Sequence, residues 1–530
     1  MILEFATAVV LAAPTPLQAD TVLLYDDLGD HHYEISTGVP LAQHYFDQGL
    51  RLTWGFNHAE AIRAYEQALR IDPACAMCWW GIAYAYGPNI NAPMDSTSGV
   101  AAWKAAQEAA ALADRATDRE RAMIEAIGTR YAEVPPVQRA SLDSAWARSM
   151  TEVAERFPND HEAATVAADA LMNLSPWNYW TPQGEPRPDT PRILAMLEKV
   201  VEEDPSHPGA CHLYIHAVEA AHPERAVACA ERLADLMPGV GHIVHMPAHI
   251  YIRVGRYNDA IESNIHAVHT DETYIMDVGP AGLYPAFYYP HNYHFLAFAA
   301  TFAGRGAMAV ENARQAAEKM DVDLARQFGP EAARMLAHPH LTLAAFGRWE
   351  NVLAEPAPPE DIPFSAGLVH YSRGVANAAL GRQEEARTEL EAVRGIAAGF
   401  TENWPATVMQ IAIHSLAGDI AYREEMNEEA IEHYRIALEL EDGLTYTEPA
   451  YWNRPIRLDL GAALLAAGRH AEAEAVYREN LARFPANGWA LHGLASSLEA
   501  QGKSAEAAEA RAELAEAWAE ADVELTASRF

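Results

Sequence analysis

The stretch that decides the fold is GRHAEAEAVYRENLARFPANGWALHGLASSLEAQGKSAEA, residues 468–507. Within it, a Gly is followed five residues later by an Ala at the start of an amphipathic helical pattern, first at Gly468 and Ala473 and again at Gly502 and Ala507. The two glycines are 34 residues apart, and Pro485 lies between them. A fixed period of this length is typical of a helical repeat array.

The same Gly and Ala spacing recurs toward the N-terminus. Small residues at these positions allow two antiparallel helices to pack closely, and an aromatic side chain fills the groove between neighbouring pairs. The sequence therefore predicts an all-α fold, a superhelical array of antiparallel helix pairs. The further pairs are Gly255/Ala260, Gly304/Ala309 and Gly381/Ala386, with Gly347/Val352 as a variant, and the first unit is indicated by Gly49, Ala61, Tyr65, Ala68 and Pro73.

These patterns resemble those of tetratricopeptide repeat proteins over most of residues 41–522. The resemblance implies a right-handed superhelix in which the first helix of each pair lines a concave groove, where ligands usually bind. Five segments are longer than the repeat needs, and the first three are candidate lids over the groove. These segments are residues 86–100, 175–191, 269–290, 355–364 and 441–455.

The sequence predicts six regions along the chain. The start has a short apolar run and small residues but no basic residue before the run, as in a weak or truncated export signal, which slightly favours an exported or periplasmic location over the cytoplasm. The regions are 1–40 with that signal, helical repeats at 41–174, an aromatic and Pro-rich insertion at 175–191, His-rich repeats with a candidate metal groove at 192–350, helical repeats at 351–522, and a tail at 523–530.

The composition excludes several classes of partner. The chain has 530 residues and a formal net charge of −36, which disfavours phosphate backbones and anionic membrane surfaces. We therefore expect no nucleic-acid partner, and no apolar stretch is long enough for membrane insertion. Cys75 and Cys78 form a CxxC pair that suits a disulfide or a soft ion, although thiols packed between helices are the favoured interpretation.

Histidines concentrate in three strings, HLYIHAVE at 212–219, HIVHMPAH at 242–249 and HNYH at 291–294. Spacings of three and four place side chains on one helical face, and the repeat register directs these faces toward the groove. Pro247 complicates this interpretation, because a helix that begins there would leave His242 and His245 on the preceding loop. The candidate metal ligands are His212, His216, His242, His245, His249, His291 and His294.

The first functional hypothesis is a metalloenzyme that catalyses an oxidation in the groove. Imidazole ligands suit copper or iron, with zinc as a further candidate, and the number of histidines allows a mononuclear or multinuclear centre. His242 is either a ligand or a residue that orients one, and Glu219 is either a ligand or a general base. Tyr288 and Tyr293 are candidates to relay electrons, and the expected substrate is a small molecule or a peptide.

The alternative hypothesis is a scaffold that binds a peptide or partner protein, with the histidines structural or ligand-binding. Several strings also resemble those of a group of uncharacterised bacterial tetratricopeptide repeat proteins. The strings include LGDHHYEIST at 28–37, PWNYW at 176–180, GHIVHMPAHIYIRVGRY at 241–257 and YYPHNYHF at 288–295. This closer resemblance implies no activity, so both hypotheses stay open.

Overall fold

The computed structural model describes residues 22–279 and 283–530. Its helices confirm the predicted all-α class. Within the described residues, extended pairing is limited to two isolated bridges, Asn89 with Ala92 and Trp180 with Pro186. The predicted export signal lies in residues 1–21, outside the described residues.

The chain divides into two compact units. Unit 1 comprises the residues up to Pro247 together with His269–Tyr284. Short 3₁₀ turns at Ala113–Arg115 and Pro223–Ala226 interrupt its helices. Those helices are α1 (Pro40–Trp54), α2 (His58–Ile71), α3 (Ala76–Ala85), α4 (Ser96–Ala111), α5 (Asp118–Ile127), α6 (Ala140–Arg156), α7 (His161–Met172), α8 (Thr190–Glu203), α9 (Pro208–Val218), α10 (Val227–Leu236) and α11 (Gly241–His245).

Unit 2 comprises Ala248–Val268 and Pro285–Phe530. Two helices, α12 (Pro247–Arg253) and α13 (Tyr257–Val278), contribute residues to both units, and a π-helical turn covers Tyr284–Tyr288. The remaining helices are α14 (Tyr289–Phe302), α15 (Gly306–Lys319), α16 (Val322–Phe328), α17 (Pro330–Ala345), α18 (Trp349–Ala354), α19 (Pro363–Ala379), α20 (Gln383–Ala397), α21 (Asn403–Arg423), α22 (Asn427–Asp442), α23 (Ile456–Ala466), α24 (His470–Arg483), α25 (Gly488–Ala500) and α26 (Ser504–Ala517).

The same packing arrangement, a Tyr ring between two glycines, occurs in both units. In unit 1 the buried Tyr65 ring lies between Gly49 and Gly81, where a Cβ atom at either glycine would come within 2.6 Å of the ring. In unit 2 the ring of Tyr477 lies between Gly461 and Gly493, with corresponding distances of 2.4 and 2.2 Å. Only glycine allows an aromatic ring to approach the backbone this closely, so the predicted role of small residues in helix pairing is confirmed.

The predicted turn glycines adopt the backbone conformation that a tight helical turn requires. Gly468 and Gly502 each have φ near +74°, a region that L side chains rarely adopt. Polar caps begin several helices. Asn57 accepts a hydrogen bond from Glu60 N at the start of α2, and Thr117 forms a capping box with Glu120 at the start of α5. Local sequence and helix boundaries therefore agree.

The structure corrects three expectations. The proposed loop at 269–290 is helical at its start, because α13 continues to Val278. Pro247 does begin a helix, but His242 and His245 lie on the separate short helix α11 and not on a loop. Cys75 and Cys78 are joined by a disulfide, so the favoured packing of free thiols is wrong.

No helix in the described part of the chain combines the length and apolar character needed to cross a lipid bilayer.

Candidate metal centre

Helix α9 carries His212 and His216, which are four residues apart and share one face. Pro208 at the first turn and the N-cap His207 begin this helix, and every residue of α9 is buried. The helix packs closely on the end of α1, since a Cβ atom at Gly209 would lie 2.4 Å from the Trp54 ring. Both histidines are thereby fixed in the interior of unit 1.

His242 reaches the same place from α11. Its backbone N–H donates to the Tyr284 hydroxyl at 2.8 Å, and that hydroxyl donates to Asp271 Oδ1 at 2.9 Å. Neighbouring Gly241 has no space for a side chain, because a Cβ atom there would lie 2.0 Å from Asp271 Oδ1. The backbone that carries His242 is therefore held in one position.

The three imidazoles of His212, His216 and His242 meet in unit 1. One ring nitrogen from each lies within 4.8 Å of the others. Nitrogens bound to one tetrahedral ion at about 2.1 Å are about 3.4 Å apart, so the three rings lie close to the separation that one ion requires. At most 2% of each residue is exposed. We refer to these residues as the trihistidine cluster.

Hydrogen bonds at Nδ1 orient two of these rings. His212 Nδ1 lies 2.7 Å from the backbone oxygen of Trp54, which can only accept, so Nδ1 carries the proton. His216 Nδ1 lies 2.9 Å from Oε1 of the fully buried Glu219. In both rings Nε2 is left as the basic nitrogen. This is the arrangement in which a metal-ligating histidine is held by a carbonyl or carboxylate.

Two aromatic side chains enclose the cluster. The Phe56 ring centroid lies 4.6 Å from that of His212 and 5.3 Å from that of His242, and its φ of +56° is rare for a bulky residue. The Trp177 ring lies 5.1 Å from His216, and its indole donates to the Ile90 carbonyl at 3.0 Å. The inserted segment 175–191, expected as a lid, thus places a side chain against the trihistidine cluster.

The other predicted ligands are divided between the two units. His245 belongs to unit 1, and its ring centroid lies 5.9 Å from that of His242. In unit 2 the rings of His249 and His291 are 6.4 Å apart, while His294 lies 4.5 Å from His338. Burial lowers the pKa of His294 well below its usual value and that of His338 to about 3. Both rings are therefore neutral near pH 7.

The predicted catalytic residues have different surroundings. Glu219 is hydrogen-bonded to His216, as an orienting carboxylate would be. Tyr288 and Tyr293 are buried in unit 2, where Tyr293 packs edge-on against Tyr289 at 5.4 Å and Tyr288 packs against Phe287 at 6.1 Å. Their roles as electron relays stay predictions.

A second group of titratable residues in unit 1 was not predicted from the sequence. Glu162 Oε2 lies 3.0 Å from His31 Nε2 and 3.3 Å from His207 Nε2. His31 lies in the quoted LGDHHYEIST string, but its partners come from α7 and from the start of α9, far away in the sequence. No spacing of residues along the sequence indicates that these three side chains contact one another.

Comparison with known proteins supports the predicted repeat. Residues 56–75 match the family model described as Tetratricopeptide repeat, which confirms the predicted repeat there. No curated protein matches the chain. Similar solved structures include the APC/C hetero-tetramer Cut9-Hcn1, with 12% identity, 91% of this chain and 76% of that chain covered, and a TM-score of 0.31.

Two further structures have comparable values. The human IFIT1 dimer with m7Gppp-AAAA shares 12% identity, with 91% of this chain and 90% of that chain covered and a TM-score of 0.33. Yeast Tom70 shares 12% identity, with 90% and 91% covered and a TM-score of 0.27. The helices and the repeat match together define an all-α helical array that contains a tetratricopeptide repeat at residues 56–75.

Proposed function

We propose that the protein is a tetratricopeptide-type binding scaffold and that its first unit holds one transition-metal ion between His212, His216 and His242. The observation that carries the metal proposal is the orientation of the rings. Nδ1 of His212 and of His216 is engaged by a carbonyl and a carboxylate, and Nε2 is thereby left basic. The scaffold part rests on the repeat match and on the paired helices.

The donor set fits the expected metals. Three imidazoles suit copper, iron or zinc, and hard cations that prefer oxygen ligands are disfavoured. A site with three protein ligands leaves a coordination position for an outside molecule. Phe56 and Trp177 lie against the imidazoles and shield them from bulk water.

We further propose that the bound ion is copper or iron and that it supports oxidation of a small-molecule or peptide substrate. Either ion can supply one-electron redox chemistry when bound. In this chain His212, His216 and His242 would hold it, and Glu219 would fix the His216 ring and keep its Nε2 basic. The aromatic side chains would exclude water from the site.

The second candidate function is a scaffold that binds a peptide or partner protein without a metal. The repeat match at residues 56–75 and the recurring packing of Tyr between glycines favour it, because concave helical arrays commonly present binding surfaces. In that case the hydrogen bonds at Nδ1 of the histidines are structural. The expectation of no nucleic-acid partner stays a prediction from net charge.

Elemental analysis of the tag-free, full-length protein separates the two candidates. We would measure copper, iron and zinc as purified and after reconstitution, in the wild type and in the double variant His216→Ala/His242→Ala. His269→Ala, which changes an exposed histidine of unit 1, is the matched control. The metal proposal predicts that the double variant loses one equivalent of metal that the control retains, with unchanged helicity. Equal metal contents in all three proteins would contradict it.

A further inference from the structure

A second site in unit 1 shares no residue with the trihistidine cluster. It is a cleft of about 1070 Å³, large enough for a ligand the size of a short peptide. Its walls come from residues 29–34, 156–162, 204–207 and 235–236. His31, Glu162 and His207 all line it.

Glu162 is the charged centre of this cleft. Its side chain is 2% exposed, and its Oε1 accepts a hydrogen bond from the Trp54 indole at 3.0 Å. Burial alone would raise the pKa of Glu162, but hydrogen bonds from His207 and His31 outweigh it and lower the pKa to about 2. Glu162 is therefore a carboxylate anion at neutral pH.

His207 cannot serve as a metal ligand in its present position. Its Nδ1 accepts a hydrogen bond from the backbone N–H of Ala210 at 3.1 Å, which caps α9. The neutral ring must then carry its proton on Nε2, which faces Glu162. Both nitrogens are engaged, so this group differs in kind from the trihistidine cluster.

His31 is arranged differently. Its Nε2 donates to the Glu162 carboxylate, and the neutral ring therefore has its lone pair on Nδ1. The side chain is 11% exposed and lines the cleft. A buried carboxylate behind an imidazole fixes the orientation and the tautomer of the ring. His31 thus presents an oriented hydrogen-bond acceptor to a ligand.

The charges of the residues that line the cleft indicate the charge of the ligand that it can bind. Besides Glu162, five carboxylates line the cleft, against two arginines, and Arg119 already pairs with Asp160 at 3.4 Å. We propose that the cleft binds a ligand carrying an ammonium or guanidinium group, with Nδ1 of His31 accepting one of its N–H hydrogen bonds. Asp204, at the cleft wall, supplies a charge partner. A free polyamine and a basic peptide side chain share this chemistry.

Calorimetric titration of the full-length protein tests the proposal at about 150 mM salt and pH 7.5, where weak surface pairing is screened. The probes are spermidine and a trilysine peptide. The variants are His31→Ala and Asp204→Asn. Asp323→Asn, which removes an equal charge from a side chain 89% exposed in unit 2, is the control. Circular dichroism verifies that each variant keeps its helical content.

We expect at least one probe to bind the wild type, with affinity reduced at least tenfold in both cleft variants and changed less than twofold in the control. Tighter binding of spermidine would identify a free polyamine as the source, and tighter binding of the peptide would identify a basic side chain. Absence of binding by both probes, or equal affinities in all four proteins, would overturn the proposal. Metal binding plays no part in this experiment, so its failure is distinguishable from failure of the proposed metal site.

Discussion

The backbone oxygen of Trp54 lies 2.7 Å from Nδ1 of His212, at the end of the first repeat helix. The same residue donates its indole N–H to Glu162 at 3.0 Å. Trp54 therefore contacts both groups of titratable side chains in unit 1, one through its backbone and the other through its side chain. Because α1 is part of a packed repeat, the repeat fold itself sets the tautomer of a proposed metal ligand.

Glu219 gives the first prediction. Its carboxylate accepts from His216 Nδ1, and loss of such a partner typically weakens metal binding about 10- to 100-fold. We expect Glu219→Ala to show that loss in a titration against a chromophoric chelator. Glu219→Gln keeps an acceptor oxygen and should lose less. Wild-type affinity in Glu219→Ala would show that the pair does not orient a ligand.

Trp177 gives the second prediction. Its ring packs edge-on against His216 at 5.1 Å, so its removal should open a path for water and chelators. We expect Trp177→Ala to release bound metal to a chelator roughly tenfold faster, because the apolar shell around a site controls solvent access. Trp177→Phe, which keeps a ring, is the control and should stay near the wild-type rate. Identical release rates in all three proteins would argue against a lid.

Glu162 gives a prediction on pH. Its pKa is lowered to about 2 in the folded protein, below the value near 4.5 of a free Glu, so its contribution to stability is present at neutral pH. That contribution is lost as the pH falls below the pKa of free Glu toward the pKa in the folded protein. The free energy of unfolding should therefore decrease by about 2 kcal/mol between pH 6 and pH 3. Urea unfolding at both pH values should show that fall in the wild type.

The comparison variant for this measurement is Glu162→Gln. It lacks the carboxylate, so its free energy of unfolding should change by about 2 kcal/mol less over the same pH interval. Equal pH dependence in the two proteins would mean that the hydrogen bonds from His31 and His207 do not lower the Glu162 pKa.

Gly81 gives a prediction on stability. A Cβ atom there would lie 2.6 Å from the buried Tyr65 ring, and such overpacking costs about 1–3 kcal/mol. That cost exceeds the roughly 0.5–1 kcal/mol that Ala gains over Gly in a helix. We expect Gly81→Ala to lower the free energy of unfolding in urea. Gly38→Ala, with no atom within 4 Å of the added Cβ, should stay within about 0.5 kcal/mol of the wild type.

The sequence predicts the helical class because its signals are local. The turn glycines and the aromatic side chain between helix pairs each act within one or two repeats, and the structure has both in place, as at Gly468 and Tyr65. Spacing along one helix likewise predicts that His212 and His216 share a face. The position of His242 beside these two residues depends on the repeat register, and spacing along the sequence determines that register only approximately.

Other parts of the site depend on contacts between distant residues. His31 and Glu162 are 131 residues apart, and the Trp54 carbonyl that orients His212 is 158 residues away from it. Every residue has a backbone oxygen, so the sequence does not indicate which one will orient His212. His31 contacts Glu162, near the start of α7, only after the chain has folded. The sequence therefore indicates which residues carry the chemistry but not which groups orient them.

The central claim is that one metal ion binds between the three imidazoles of unit 1. A crystal structure of the metal-reconstituted protein, with data collected above and below the metal absorption edge, tests it most directly. We predict an anomalous difference peak about 2.0–2.1 Å from Nε2 of both His212 and His216 and within the same distance of one ring nitrogen of His242. No peak at that position, in crystals that contain the reconstituting metal, would contradict the account.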